Sequence, residues 1–341
     1  MKNLNFIDKI IFLCNSLAAA MLFLSFALPF VPPKTFSVLS VLSLGVPILL
    51  LLNAIFFVYW LIRLKKQFLV SLFVLAIGYF SFGSLYKFST KKTASQPEQQ
   101  LTVMNYNVRL FNLYNWIEAD NVETKLVDFV KQNSPDVISF QEFHPHKNID
   151  LSFFKYKYEK LSGNKTKYGQ AIYSQFPIIN SGSVAFKNTS NNAIFVDIVK
   201  KKDTIRVYNV HLESLHIEPK VEHLATENSE RLLKRIGKTF KMQQSQTELF
   251  LKHKKQCNYK MIICGDFNNT AFSYVYKEIK GNLKDAFKEA GTGFGRTYDF
   301  KFFPTRIDFI LTDAAFTVDA FKTFDVQYSD HFPVLTKLHL D

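Results

Sequence analysis

"KMIICGDFN", residues 260–268, changes character within one short run. It begins as an apolar stretch of the kind that forms a buried strand. It then stops at Gly265-Asp266 and ends on an amide, Asn268. A strand whose core gives way to an acid and an amide is what the floor of a cleft at a sheet edge requires. A single such ending is ordinary turn chemistry. The reading of the fold therefore depends on whether the pattern recurs.

It recurs along the chain. "LTVMNYNV" (101–108) alternates like a strand and carries Asn107 near its end. The segment 122–143 reads as an amphipathic helix, a turn at Ser134-Pro135-Asp136 and a strand ending "QEF", with Glu142. "TIRVYNVHL" (204–212) carries His211. "RIDFILTD" (306–313) carries Asp308 early in its strand, and "YSDHFPV" (328–334) sets Asp330 and His331 just before the last strand, 332–340. Residues 168–178 and 193–200 read as further strands. Residues 218–255 read as a long charged helical insert, and 273–287 as helix broken at Gly281. Many strands with helices outside them predict an α/β sandwich of two packed sheets.

The N-terminal part is different. "IIFLCNSLAAAMLFLSFALPFV" (10–31), a second run over 36–62 and a third over 68–86 are apolar and uncharged. They read as three transmembrane helices forming an anchor over residues 1–88. Polar, proline-containing residues 89–100 read as a linker, and 101–341 as the globular domain. The net charge is +13. Nine of the 42 basic residues and one of the 29 acids precede residue 96, so the rest of the chain carries only +5. Basic flanks are a membrane signature, and this weakens a nucleic-acid reading of the high isoelectric point. The loop "RLKKQ" (63–67) is more basic than "VPPK" (31–34), which predicts an inside N-terminus and an outside (periplasmic or extracellular) C-terminal domain. The lysines at 87–92 argue the other way. The three cysteines have neither metal-binding spacing nor a disulfide framework, and a Cys257–Cys264 bridge is not expected.

The polar set has a chemistry. Carboxylates and amides are hard oxygen ligands that suit Mg²⁺, with Mn²⁺ or Ca²⁺ as alternatives. Two histidines and a spare aspartate suit proton transfer near neutral pH. Together they are equipment for attacking a phosphate with water.

At this point the chain resembles the endonuclease/exonuclease/phosphatase superfamily, the DNase I-like fold. The matching stretches, in family order, are "MNYNVR" (104–109), "QEF" (141–143), "YGQAIYSQFPI" (168–178), "YNVHLES" (208–214), "CGDFN" (264–268), "RIDFIL" (306–311) and "SDHFPV" (329–334). The resemblance implies a four-layer sandwich of two mixed β-sheets flanked by helices. It implies a metal-dependent hydrolase of phosphodiester bonds, endonuclease-like first, with a sphingomyelinase-like lipid phosphodiesterase or a phosphatase as alternatives.

The roles implied are specific. Glu142 would be the principal metal ligand, with Asn107 beside it on metal or phosphate and Asp330 placing a metal or its water. Asp266 and Asn268 would activate water and hold the phosphate. His211 would bind phosphate or act as an acid. His331 would contact the scissile phosphate, with Asp308 orienting its ring. Abasic-site repair members carry an acid where this chain has Arg109 and an asparagine where it has His211. Both differences point toward the DNase I and sphingomyelinase side and argue against a second ion at the first strand. Arg109 would either pair with a buried acid or contact phosphate.

Blander readings hold elsewhere. His144 and His146 read as exposed loop residues, and His216, His223 and His253 as solvated. The basic run 232–241 reads as a solvated helix face before a nucleic-acid or anionic-lipid contact. The implied partners are a phosphodiester substrate, nucleic acid or phospholipid headgroup, and the bilayer, with no protein partner implied. An inactive scaffold is disfavoured because every required polar position is present. A transporter is disfavoured because the apolar runs hold no charge.

Overall fold

The computed structural model describes residues 4–82, 85–88, 100–164, 166–215, 229–300 and 303–340. The predicted linker is therefore almost wholly outside the described residues, as are His216 and His223.

Twelve strands among the described residues form two six-stranded sheets. One sheet holds β1 (Gln100–Asn107), β2 (Val137–Phe143), β3 (Tyr156–Ser162), β4 (Tyr168–Ser174), β11 (Phe316–Thr323) and β12 (Val334–Leu340), in the order β11-β12-β1-β2-β4-β3. The other holds β5 (Ile178–Ser183), β6 (Asn192–Lys200), β7 (Asp203–His211), β8 (Lys260–Asp266), β9 (Lys284–Asp285) and β10 (Asp308–Thr312), in the order β5-β6-β7-β8-β10-β9. Each sheet has one parallel pair at its centre, β1 with β2 and β7 with β8. A parallel pair needs a crossover. Helix Val122–Asn133 lies in the first, and helix Ser229–Lys254 in the second.

The layers follow from period-two alternation. Leu101, Val103, Val137, Ile205, Val207 and Ile262 point inward and join one core between the sheets. Met104, Tyr106, Ile138 and Phe140 point outward and pack under Leu126, Val127 and Val130 of the first crossover helix. Tyr208, Val210 and Ile263 pack outward under Phe250 and under Val275, Tyr276 and Ile279. Each fully buried aliphatic side chain contributes roughly 1.5–3 kcal/mol. The result is the expected helix–sheet–sheet–helix sandwich. The predicted helix over 273–287 is instead a helix Tyr274–Lys280, the short strand β9 and a helical turn Ala286–Ala290.

The N-terminal region holds α1 (Phe6–Ser25), α2 (Ser37–Val41), α3 (Val46–Ile62) and α4 (Phe68–Phe82). Among the described residues the remaining α-helices are α5 (Val122–Asn133), α6 (Ser229–Lys254), α7 (Tyr274–Lys280) and α8 (Ala286–Ala290). Two runs, Phe6–Phe30 and Ser37–Ile62, are long and apolar enough to cross a membrane. The third expected span is shorter. At 15 residues α4 reaches about 22 Å, against a hydrocarbon core of about 30 Å. The apolar residues beyond it turn to the globular domain: Tyr86 meets Phe294 edge to face at 4.9 Å, and Lys87 bridges Gly293 through backbone hydrogen bonds. Asn15, Asn53 and Ser71 are wholly buried and join α1, α3 and α4, with Asn15 Nδ2 donating to Ser71 Oγ at 2.7 Å.

The helical region packs on the globular domain. Val41 of α2 lies against Ile236 and Phe240 of α6. Gly237 is close enough to Ser37 that a Cβ would meet it at 3.3 Å. Lys34 pairs with Glu248. Phe272, in the loop after β8, is buried among Ala19, Leu22, Leu28, Val46 and Val74. The basic run 232–241 is thus not simply a solvated face: Ile236, Gly237, Thr239 and Phe240 are buried against the N-terminal segment.

Candidate active site

Strand register assembles the site. In the second sheet His211 pairs with Asp266 across β7–β8, and Asp266 pairs with Asp308 across β8–β10. One row of the sheet therefore carries all three. In the first sheet Asn107 pairs with Gln141. Gly265 permits the close approach: a Cβ there would lie 1.9 Å from the carbonyl oxygen of Val210 on β7.

Glu142 needs a further device. Phe140 and Phe143 both pack outward, so the strand must take up an extra residue between them. The β2–β4 register shifts there, and Glu142 has φ +50°. This bulge re-aims a carboxylate that simple alternation would have sent into the outer core.

The polar groups converge across the sandwich. Asn107 Nδ2 donates to Glu142 Oε1 at 3.2 Å and to Asp266 Oδ2 at 3.1 Å, which joins the two sheets. The backbone N–H of Asn268 donates to Asp266 Oδ1 at 2.8 Å. His331 Nδ1 lies 2.9 Å from Asp308 Oδ2, and its Nε2 stands 3.7 Å from Asp266 Oδ2. His211 Nε2 also stands 3.7 Å from Asp266 Oδ2; it is buried and has no hydrogen-bond partner among the described residues. Asp330 pairs with Arg109 at 3.2 Å, and Arg109 lies over the Trp116 ring at 4.5 Å. Arg109 thus pairs with an acid, although Asp330 is only partly buried. Ser329 Oγ donates to the carbonyl of Asn107 at 2.9 Å and fastens the last loop to β1.

The electrostatics separate the two histidines. Burial opposes charge on His331, but Asp308 and Asp266 outweigh it and push the ring up to about 10. Burial, and then the charge of His331, push His211 down to about 3. At neutral pH one ring is an imidazolium with two donors and the other is neutral. Burial, followed by the neighbouring Asp308, holds Asp266 well above the usual carboxylate range. Burial and then Asp330 raise Glu142.

Asp266, Asp308 and His331 bring one ligand atom each to within 4.8 Å of one another, close enough to hold an ion. Nδ1 of His331 is already engaged by Asp308, which leaves Nε2 as the ring atom that can face an ion. Glu142 and Asp330 lie near enough for the charge of Asp330 to act on Glu142, and Asn107 Nδ2 donates to Glu142 Oε1. Burial is the larger cause of the raised Glu142, and the repulsion of Asp330 that adds to it is what a bound cation would relieve. Hard ligands of this kind fit Mg²⁺ or Ca²⁺.

Several contributors were missed from the sequence. A buried amide layer lies between the apolar core and the site. Gln141 Nε2 donates to Asn105 Oδ1 at 2.8 Å and to Asn209 Oδ1 at 2.7 Å. Gln170 Nε2 donates to Asn209 Oδ1 at 2.9 Å, and Asn209 Nδ2 donates to the carbonyls of Phe140 and Ala171 at 2.8 and 3.1 Å. Asn105, Gln141 and Asn209 are fully buried. The signal was present as polar residues at alternate positions, Asn105 with Asn107 and Asn209 with His211. Gln243 of α6 donates to the carbonyls of Glu213 and Asn268, which braces the loop after β8. Tyr298 lies against the His331 ring at 4.9 Å.

Of the other histidines, His146 is exposed, as expected, whereas His144 is half-buried with its Nδ1 2.6 Å from the carbonyl oxygen of Lys167. His253 is not solvated: it is half-buried, 3.1 Å from the Tyr208 hydroxyl and 4.9 Å from the Phe195 ring. All three cysteines are free thiols.

Comparisons with known proteins agree with this geometry. Residues 8–85 match a family described as a domain of unknown function (DUF8431). No curated protein matches the chain. Among solved structures, the endonuclease/exonuclease/phosphatase from Bacteroides vulgatus is 18% identical, with TM-score 0.55, covering 71% of this chain and 99% of that one. A mannosyl-6-phosphatase from Bacteroides thetaiotaomicron is 19% identical, with TM-score 0.53, covering 70% and 99%. D. rerio TDP2 complexed with single strand DNA product is 15% identical, with TM-score 0.52, covering 70% and 99%. These likenesses show the fold. The family profile described as Endonuclease/Exonuclease/phosphatase family matches residues 104–331, about two thirds of the sequence, and the chain belongs to that family.

Proposed function

We propose that this chain is a divalent-metal-dependent phosphoesterase, hydrolysing phosphodiester bonds and held to a membrane by its N-terminal helices. The observation that carries the reading is the arrangement of Asp266 between two histidines of opposite charge state.

His331, fixed by Asp308, presents an imidazolium N–H toward the space beside Asp266, where it can hold a phosphoryl oxygen and the charge that develops on it. Neutral His211 offers an unpartnered Nε2 to a second oxygen. Asp266, raised by burial and by Asp308 and held in place by donors from Asn107 and Asn268, faces the space where it can take a proton from water. Glu142, Asn107 and Asp330 would hold the ion. When bound, it offsets phosphoryl charge and makes nearby water more acidic. Asn268 would act chiefly through its backbone, since its side-chain Nδ2 donates to the carbonyl of Leu212 at 2.9 Å.

Membrane attachment is supported by exposure. Only 28% of each long apolar run is buried within the chain. Phe6, Leu24, Ile62 and Phe80 are more than two-thirds exposed, which is surface that water disfavours. Arg63 pairs with Asp8 at the end of the bundle that holds the N-terminus. Lys34 and Lys87 meet the globular domain at the other end. That polarity supports a basic inner end and an outer catalytic domain.

An endonuclease is the second reading, favoured by the fold shared with the DNA-bound D. rerio TDP2. Turnover of bis(p-nitrophenyl) phosphate by the full chain in detergent tests the class. Hydrolysis should need Mg²⁺, stop with EDTA, and fall about 100-fold or more in His331→Ala. Metal-independent hydrolysis would reject the proposal.

A further inference from the structure

Resting on the hydrolase reading above, we infer that the substrate is a membrane amphiphile, a phosphoester whose apolar chain lies in a cleft running from His331 to the N-terminal helices. The cleft measures about 250 Å³. One end is polar and catalytic, formed by Glu142, Asn268, Asp330 and His331. The other is formed by Leu44, Pro47 and Ile48, where α2 passes into α3, and by Leu85 beyond α4. Phe272, Phe294 and Phe303 also line the cleft.

The helical region is therefore part of the cleft wall. Two fastenings keep it there. Phe272 sits four residues beyond Asn268 and is buried among side chains of α1, α3 and α4. Tyr86 and Lys87 clasp Phe294 and Gly293. Ile48 is 57% exposed, so the cleft continues onto the same apolar helix surface that would face lipid chains. A chain entering from that surface reaches the catalytic end without crossing water.

Charge argues the same way. A polynucleotide needs cations along its path. Among the described residues lining the cleft, the one Lys or Arg is Arg306, and both of its terminal nitrogens donate to Asp285, at 3.1 and 2.9 Å. An apolar cleft with a few convergent polar groups at one end suits a phosphate head with a hydrocarbon tail.

The test uses the full chain in detergent with Mg²⁺. Substrates are bis(p-nitrophenyl) phosphate, supercoiled plasmid, and phosphatidylcholines and phosphatidic acids of stepped acyl length presented as monomers. The expected result is kcat/KM rising with acyl length, up to about fourfold per buried methylene. Diester and monoester series show which bond is cut. Leu44→Trp, which fills the apolar end, should flatten that dependence, while Leu44→Ala should keep most of it. Hydrolysis of bis(p-nitrophenyl) phosphate with no dependence on chain length overturns the inference and leaves the hydrolase reading standing. So does nicking of plasmid without attack on either lipid series. Failure to cleave any of these esters overturns both. If Leu44→Trp does not fold, the chain-length series of the unaltered protein decides alone.

Discussion

Asp308 Oδ2 accepts a hydrogen bond from His331 Nδ1 at 2.9 Å, and this contact sets both the direction and the charge of the ring. It leaves Nε2 facing Asp266, at 3.7 Å. Because Asp308 is among the charges that raise His331, its removal should lower the ring's pKa. In Asp308→Asn, kcat should fall by about 100- to 1,000-fold, and the alkaline limb of the pH–rate profile should move to lower pH. The linkage has a definite sign. His331 is raised above its unfolded value of about 6.5, so its contribution to stability is complete below that pH and lost as pH rises toward about 10. Denaturant titrations across that window should show the loss in the unaltered protein and a smaller loss in Asp308→Asn.

Glu142 is the carboxylate that the bulge in β2 re-aims into the site. Glu142→Gln keeps the shape and removes the charge. The Mg²⁺ concentration for half-maximal activity should rise about 10- to 100-fold. Calorimetric titration of Mg²⁺ should show the same weakening without any substrate present.

Asn209 holds the amide layer together, accepting from Gln141 and Gln170 and donating to two carbonyls. Asn209→Leu strands those donors and acceptors in a dry interior. A loss of roughly 3 kcal/mol is expected in equilibrium denaturation, more than the change in apolar volume would cause.

Phe272 ties the catalytic loop to the helical bundle. Phe272→Ala should lower stability by about 3–5 kcal/mol if the two regions unfold together. Limited proteolysis should then separate the helical region from the globular domain faster than in the parent. Unchanged cleavage would mean the contact does not hold the regions together.

Much of this was legible in the sequence because the strands advertise their polar ends. "YNVHLES", "CGDFN" and "RIDFIL" place polar groups near strand ends, and strand register brings His211, Asp266 and Asp308 into one row, while the loop before the last strand sets His331 against Asp308. The edge strands were not legible. β3 is "YKYEKLS" with mostly exposed or half-exposed positions, β5 contains "NSGS", and a register shift between Val318 and Ala320 breaks the alternation in β11. Edge strands face water on one side and keep weak patterns. The amide layer was missed because Gln141 and Asn209 read as ordinary polar strand residues until two sheets face each other. The apolar N-terminal runs looked like a bare anchor, since packing of Phe272 and Val41 between regions leaves no local mark.

The most direct test of the central claim is a double-mutant cycle on Asp266 and His331. kcat/KM for bis(p-nitrophenyl) phosphate would be measured for Asp266→Asn, His331→Ala and the pair. Groups that act as one unit are non-additive, so the double variant should be about as impaired as the worse single one. Losses that add in full, or either single variant retaining parental activity, would contradict a shared hydrolytic centre.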